Sequence, residues 1–206
     1  MTSEARRGLI LVLGGARSGK SAVAEKLVAE SGLPVTYLAT ARVADDEMRE
    51  RVIRHQQRRP KDWTTIEAPG DVHEIIDETC QRAYLIDCLT LYLSNCLMDL
   101  EKEGLSPATL QEECLKKVDA LIEAAGRSPG LVVIVSNEVG QGVVPAYPLG
   151  RLFRDLAGWA NQRVAAAANE VFFCVAGIPV ELKRLQQACA SAFLTRDMKE
   201  HEESDA

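Results

Sequence analysis

Five continuous runs of mainly Val, Ile and Leu punctuate the chain, at Leu9–Leu13, Val35–Ala39, Tyr84–Asp87, Leu131–Ser136 and Val171–Val175. Their apolar residues are consecutive rather than alternating, the pattern of a strand buried on both faces. Between them, apolar positions recur at helical spacing over Lys20–Glu30, Asp45–Arg58, Asp71–Cys80, Leu89–Glu103, Pro107–Ala125 and Leu149–Ala168. Helix starts carry their usual signals. Asp71 followed by Glu74 reads as a capping box, and Ser106 before Pro107 as an N-cap with proline in the first helical position. Strands alternating with helices predict an α/β domain whose largely parallel sheet is covered by helices on both faces. Beyond about Leu185 large apolar residues thin out and the chain ends "DMKEHEESDA". Residues 1–185 are therefore expected to form one domain and residues 186–206 a charged, frayed tail.

Composition narrows the class. A chain of 206 residues, 47% of them hydrophobic, suits a single globular domain. Its net charge of −6, with bases scattered or gathered in one short stretch, gives no footprint for a nucleic-acid backbone. No apolar run approaches the roughly 20 residues of a membrane span, and "MTSEARRG" lacks the apolar core of a signal peptide. A cytoplasmic enzyme is the expectation. The six cysteines (Cys80, Cys88, Cys96, Cys114, Cys174, Cys189) form no C-x-x-C pair and sit at no ligand spacing from histidine, so they read as reduced, mostly buried thiols.

The chemistry starts after the first run. In "GGARSGKS", Gly14, Gly19, Lys20 and Ser21 satisfy G-x-x-x-x-G-K-[ST] between an apolar strand and a helix. The residues from Gly14 through Gly15, Ala16, Arg17, Ser18 and Gly19 would turn backbone N–H groups toward phosphate oxygens. Lys20 would bridge the β- and γ-phosphates and Ser21 would ligate Mg²⁺. Such a loop needs an acidic residue at a neighbouring strand end. Asp87, closing "AYLIDC", and Glu138, in "VVIVSNEVG", both qualify, and spacing does not rank them. A switch GTPase is excluded, because "DCLT" and "NEVG" stand where D-x-x-G and N-K-x-D would be needed.

A second unusual stretch is "DDEMRERVIRHQQRRPKDW". On a helix, Met48, Val52 and His55 share one row and Arg51, His55 and Arg58 another. Arg51, Arg54, Arg58 and Arg59 would disfavour the imidazolium and keep His55 neutral, the state a nucleophile requires. The same guanidiniums suit a triphosphate. A neutral imidazole could attack an α-phosphorus, expel pyrophosphate and form a phosphoramidate. The glycine- and proline-rich loop "SNEVGQGVVPAYP" follows a strand, where open α/β sheets place ligands, and is expected to close over a substrate.

Together "LVLGGARSGKS", "YLATARVADDEMRERVIRHQQRRPKDW", "SNEVGQGVVP" and "GRLFRDLAGWANQRVAAAANEVFFCVAGIPVELK" resemble one family, the bifunctional adenosylcobinamide kinase / adenosylcobinamide-phosphate guanylyltransferases of cobalamin biosynthesis. The resemblance implies a three-layer P-loop fold of the RecA-like sort, a homotrimer, and two reactions. A nucleoside triphosphate, ATP or GTP, phosphorylates the aminopropanol hydroxyl of adenosylcobinamide. GTP then donates GMP to that phosphate through a guanylylated histidine, here His55. It further implies nucleotide contacts from Ala39, Thr40 and Ala41, from Gln56, Gln57, Arg58 and Arg59, and from Glu67 and Asp87. Relatives can carry Glu at the last position, so Asp87 is a shorter version. A single-activity kinase in which His55 only binds phosphate, and a nucleotide-binding regulatory subunit, are the competing readings.

Overall fold

The computed structural model describes residues 6–42 and 60–189. Seven strands form one sheet in the order β3-β2-β4-β5-β1-β6-β7. The strands are β1 (Gly8–Gly14), β2 (Val35–Ala39), β3 (Thr64–Glu67), β4 (Ala83–Asp87), β5 (Leu131–Asn137), β6 (Glu170–Val175) and β7 (Ile178–Glu181). Every neighbouring pair is parallel except β6 with β7. All the expected strands are present within a residue or two of their expected ends.

Alternation along the buried strands builds two cores. Ile10 and Val12 of β1 face one side, where α1 (Lys20–Ala29) packs Ala24, Leu27 and Val28 against Val133 and Val135. Leu9, Leu11 and Leu13 face the other side, toward α2 (Leu89–Glu101), α3 (Pro107–Arg127) and α4 (Pro148–Ala167). The result is the three-layer α/β domain expected from the pattern. Each fully buried aliphatic side chain contributes about 1.5–3 kcal/mol, so the sheet is the rigid part of the molecule. On α3 the buried residues Leu110, Cys114, Val118, Leu121 and Ala125 recur every three or four positions. Its start is capped as expected, with Ser106 Oγ accepting from the Thr109 N–H at 3.2 Å.

Three expectations need correction. The helix over Asp71–Cys80 is a single 3-10 turn, Val72–Ile75, and Asp71 makes no side-chain cap. Its carboxylate instead accepts from Lys117 Nζ at 2.7 Å. Asp77 then turns the chain by accepting from both the N–H and the hydroxyl of Thr79, each at 2.7 Å, which holds its carboxyl down at about 2. Two strands escaped the pattern, β3 because three of its four residues are exposed and β7 because it is a short, exposed edge. Residues 182–189 are helical, so ordered structure runs past the expected boundary at 185. The expected helix Asp45–Arg58 and most of the tail lie outside the described residues. All four buried cysteines and both exposed ones are free thiols.

Candidate active site

The carboxyl ends of β1, β4 and β5 meet at one edge of the sheet. Gly14, the last residue of β1, lies in register with Asn137 on β5 and with Cys174 on β6. Asp87 lies in register with Val135 on one side and Ala39 on the other, and Ala39 is in turn opposite Glu67. One row of backbone therefore brings Glu67, Ala39 and Asp87 together, although 48 residues separate Ala39 from Asp87 in the chain.

Between β1 and α1 the loop Gly15–Gly19 is tightly built. A Cβ on Gly14 would stand 2.4 Å from Ser18 Oγ and 2.8 Å from the Cys174 carbonyl, so only glycine allows the loop to fold back here. Gly19 ends the loop at φ 92°, with the Gly177 Cα 3.0 Å from where its Cβ would be. The Ser18 carbonyl accepts from the Gly177 N–H at 2.9 Å. Gly177 belongs to a two-residue turn in which Ala176 and Gly177 both have positive φ, joining β6 to β7. That turn props the loop from outside. Lys20 Nζ donates to the Gly15 carbonyl at 3.1 Å, which folds the ammonium across the loop where phosphate charge would be gripped. Ser21, half-buried, follows in the first turn of α1. Replacing Gly19 by alanine forces a side chain into left-handed backbone at about 1–2 kcal/mol. Gly19→Ala is therefore expected to weaken nucleotide binding about tenfold, as read by titration with a fluorescent GTP analogue, while the circular dichroism of the protein stays unchanged.

At the carboxyl end of β4, with β5 between it and β1, Asp87 is half-buried and its Oδ2 accepts from the Tyr37 hydroxyl at 2.6 Å. Asp87 also raises the pKa of the neighbouring Cys88 thiol, whose main cause of elevation is burial, while the Lys20 charge opposes both. Lys20 likewise opposes the burial that raises Cys174. Both thiols are thus neutral, and the lysine ammonium is the cation they feel. Thr40 is buried and fully bonded within the protein. Its hydroxyl donates to the Cys88 carbonyl at 2.8 Å and accepts from the Cys88 N–H at 2.7 Å, its N–H donates to the Asp87 carbonyl at 3.1 Å, and its carbonyl accepts from Asn95 Nδ2 at 2.7 Å. Thr40 ties β2 to the turn after β4. Arg42, two residues on, is clamped by both carboxylate oxygens of Asp99 at 2.8 and 2.5 Å. The chain passes from there into residues 43–59. His55, Gln56, Gln57, Arg58 and Arg59 lie in that stretch, outside the described residues.

The end of β5 is the part that sequence reasoning undervalued. Asn137 Nδ2 donates to Thr90 Oγ1 at 2.7 Å, and its carbonyl accepts from Asn161 Nδ2 at 3.2 Å. Asn161 Oδ1 accepts from Ser136 Oγ at 2.6 Å. Two polar residues closing an apolar strand were the signal, in "VVIVSNEVG". Tyr37 and the Ala176–Gly177 turn were also missed. A phenol inside an apolar strand and a small turn far down the chain carry no mark of their destination.

Among the described residues no three His, Cys, Asp or Glu side chains are grouped to hold a metal ion. Mg²⁺ in phosphoryl-transfer sites keeps most of its waters and is bound by phosphate oxygens plus one or two protein groups. The Ser21 hydroxyl, in the first turn of α1, and the Asp87 carboxylate, at the carboxyl end of β4, are oxygen donors of the kind such a small set requires. No helix among the described residues is long and apolar enough to cross a membrane.

A family model described as "Cobinamide kinase / cobinamide phosphate guanyltransferase" matches residues 10–182. The chain is 44% identical over 175 residues to the bifunctional adenosylcobalamin biosynthesis protein CobP of Pseudomonas aeruginosa, covering 84% of this chain and 96% of that protein. It is 42% identical over 181 residues to the bifunctional adenosylcobalamin biosynthesis protein CobU of Escherichia coli, covering 85% of this chain and 99% of that one. The fold is also found in a structure titled as an ATPase from the type III secretion system of pathogenic bacteria, at 10% identity and a TM-score of 0.52, over 81% of this chain and 50% of that one.

Proposed function

The chain belongs to the cobinamide kinase / cobinamide phosphate guanyltransferase family, and from that premise we propose that it runs both reactions at one nucleotide site. The observation that carries this reading is the phosphate loop, with Lys20 folded over Gly15 and Asp87 ending β4, one strand removed from β1 at the same edge of the sheet. In the first reaction a nucleoside triphosphate phosphorylates the hydroxyl of adenosylcobinamide. Loop N–H groups, including that of Gly19 at the head of α1, hold the β- and γ-phosphates, and Lys20 neutralises the charge that builds between them. Ser21 and Asp87 would hold Mg²⁺, which supplies further positive charge to the phosphates when bound. The Tyr37 hydroxyl fixes the direction of the Asp87 carboxylate.

In the second reaction neutral His55 attacks the α-phosphorus of GTP. The N–P bond forms as the bond to the pyrophosphate oxygen breaks, and pyrophosphate leaves with the electron pair. The phosphate of adenosylcobinamide phosphate then displaces histidine, giving adenosylcobinamide-GDP. Gln56, Gln57, Arg58 and Arg59 are assigned to the triphosphate, and Ala39, Ala41 and Glu67 to the rest of the nucleotide, with Thr40, buried and bonded to Asp87 and Cys88, holding their wall in place rather than touching the nucleotide. The register that sets Ala39 between Glu67 and Asp87 supports a shared wall for it. A cytoplasmic homotrimer is part of the same proposal. An interface between copies, without regard to their number, is supported by Val175, Ile178 and Val180, exposed apolar side chains on the edge hairpin that a second copy would cover.

Incubation with GTP labelled at the α-phosphorus, without corrinoid, tests the reading. Label retained on the protein, released by acid but stable to base, is the expected phosphoramidate. Protein that stays unlabelled while still phosphorylating adenosylcobinamide would leave a single-activity kinase.

A further inference from the structure

Glu138 is not used by the reactions as described above, and the fold brings it to the loop. Its backbone N–H donates to the carbonyl of Gly14 at 3.2 Å, so the residue is fastened to the start of the phosphate loop. The strand end that carries it is fixed by the Asn137–Thr90 and Asn161 hydrogen bonds. The Glu138 side chain is half-buried, and its Oε1 accepts from the Gly140 N–H at 2.8 Å. Among the described residues it joins no ion pair, so its charge is not already spent on a cation.

The loop that follows is unusual in another way. Within five residues Val143 is 95% exposed, Val144 56% and Tyr147 64%. Its far half is held down, with the Arg151 guanidinium donating to the carbonyls of Pro145 and Ala146 at 3.2 and 2.7 Å. A Cβ on Gly150 would stand 2.6 Å from the Tyr147 ring, so the ring rests on the start of α4. An apolar surface is therefore presented at the carboxyl edge of the sheet, close in the chain to a glutamate whose backbone N–H is bonded to the Gly14 carbonyl at the start of the phosphate loop. Open parallel sheets bind their ligands at this edge. The acceptor of the family's kinase reaction has matching chemistry: a large macrocycle whose rim sets methyl groups among amide side chains, one of which ends in a hydroxyl.

We propose that this segment is the acceptor subsite, in which Val143, Val144 and Tyr147 seat the ring of the corrinoid and Glu138 takes the proton of its hydroxyl during phosphorylation. The hydroxyl oxygen bonds to the γ-phosphorus as the bond from that phosphorus to the β,γ-bridging oxygen breaks. The electron pair leaves with the nucleoside diphosphate, and the proton passes to the Glu138 carboxylate and then to water. This inference rests on the kinase reading of the preceding section.

Glu138→Gln separates the possibilities, because the glutamine carbonyl still accepts from Gly140 and keeps the loop in place. The expected result is a fall of about a hundredfold or more in kcat for phosphorylation of adenosylcobinamide, as for loss of a general base. The dissociation constant for a fluorescent GTP analogue with Mg²⁺ should stay within about twofold, and Glu138→Asp should recover part of the rate. Val143→Ser with Val144→Ser should raise KM for the corrinoid about tenfold with kcat little changed, from the apolar area lost. A Glu138→Gln variant with near wild-type kcat would overturn the inference, and so would one that loses Mg²⁺-nucleotide affinity in step with rate, which would make Glu138 part of the metal site. If the wild-type protein fails to phosphorylate adenosylcobinamide, the kinase reading fails first and takes the subsite with it.

Discussion

Lys20→Ala is expected to abolish both reactions, lowering phosphorylation of adenosylcobinamide and guanylylation of the protein by a factor of about 10³ or more. The expectation follows from where the ammonium sits. It lies across the loop on the Gly15 carbonyl, and it is the cation sensed by the buried thiols on either side, Cys88 and Cys174. Both reactions place a triphosphate in that loop, one cleaved at the γ-phosphorus and the other at the α-phosphorus, so removing the charge that anchors the β- and γ-groups harms both. The side chain is only partly buried, so its loss should leave the thermal midpoint nearly unchanged. Parallel assays of ADP or GDP release with corrinoid, and of pyrophosphate release without it, check the claim. A mutant that phosphorylates substrate at a near-normal rate would remove the loop from the mechanism.

His55→Asn should instead split the two activities. Phosphoryl transfer to a hydroxyl needs the loop, the metal and an oriented acceptor but no protein nucleophile. Guanylyl transfer through the protein needs an imidazole, and asparagine forms no stable phosphoramidate. The expected outcome is accumulation of adenosylcobinamide phosphate with no adenosylcobinamide-GDP, followed by chromatography of the corrinoids. Adenosylcobinamide-GDP formed at close to the wild-type rate would reduce His55 to one more residue in a basic segment. A parallel loss of both activities would show that the ring also positions the nucleotide for the kinase step.

Local chemistry carried far in this chain. Buried parallel strands need apolar residues on both faces, so Leu9–Leu13, Tyr84–Asp87 and Leu131–Ser136 announced themselves without any partner in view. The phosphate loop was equally plain, since its glycines answer to backbone demands within eight residues, and the Ser106–Pro107 helix start is likewise a local device. Where side chains had two ways to be satisfied, local signals misled. Asp71 had the spacing of a capping box, yet it bonds Lys117 from another helix and leaves Val72–Ile75 as a single turn. Strand β3 exposes most of its side chains and exists because its backbone pairs with β2, a fact with no apolar signature.

The sequence by itself determined the layered α/β class, the phosphate loop with Lys20 and Ser21, and the histidine segment that marks the family. Each depends on residues close together in the chain, where spacing fixes geometry. Only the tertiary structure decided which distant groups share the site: Tyr37 on Asp87, Gly177 against Ser18, Asn161 behind Asn137, and Glu138 on Gly14. Those pairings follow from the strand order β2-β4-β5-β1-β6, which sets neighbours side by side that are far apart along the chain. Strand order is selected by the burial of whole faces and by the crossover helices together, and no short stretch of sequence encodes it.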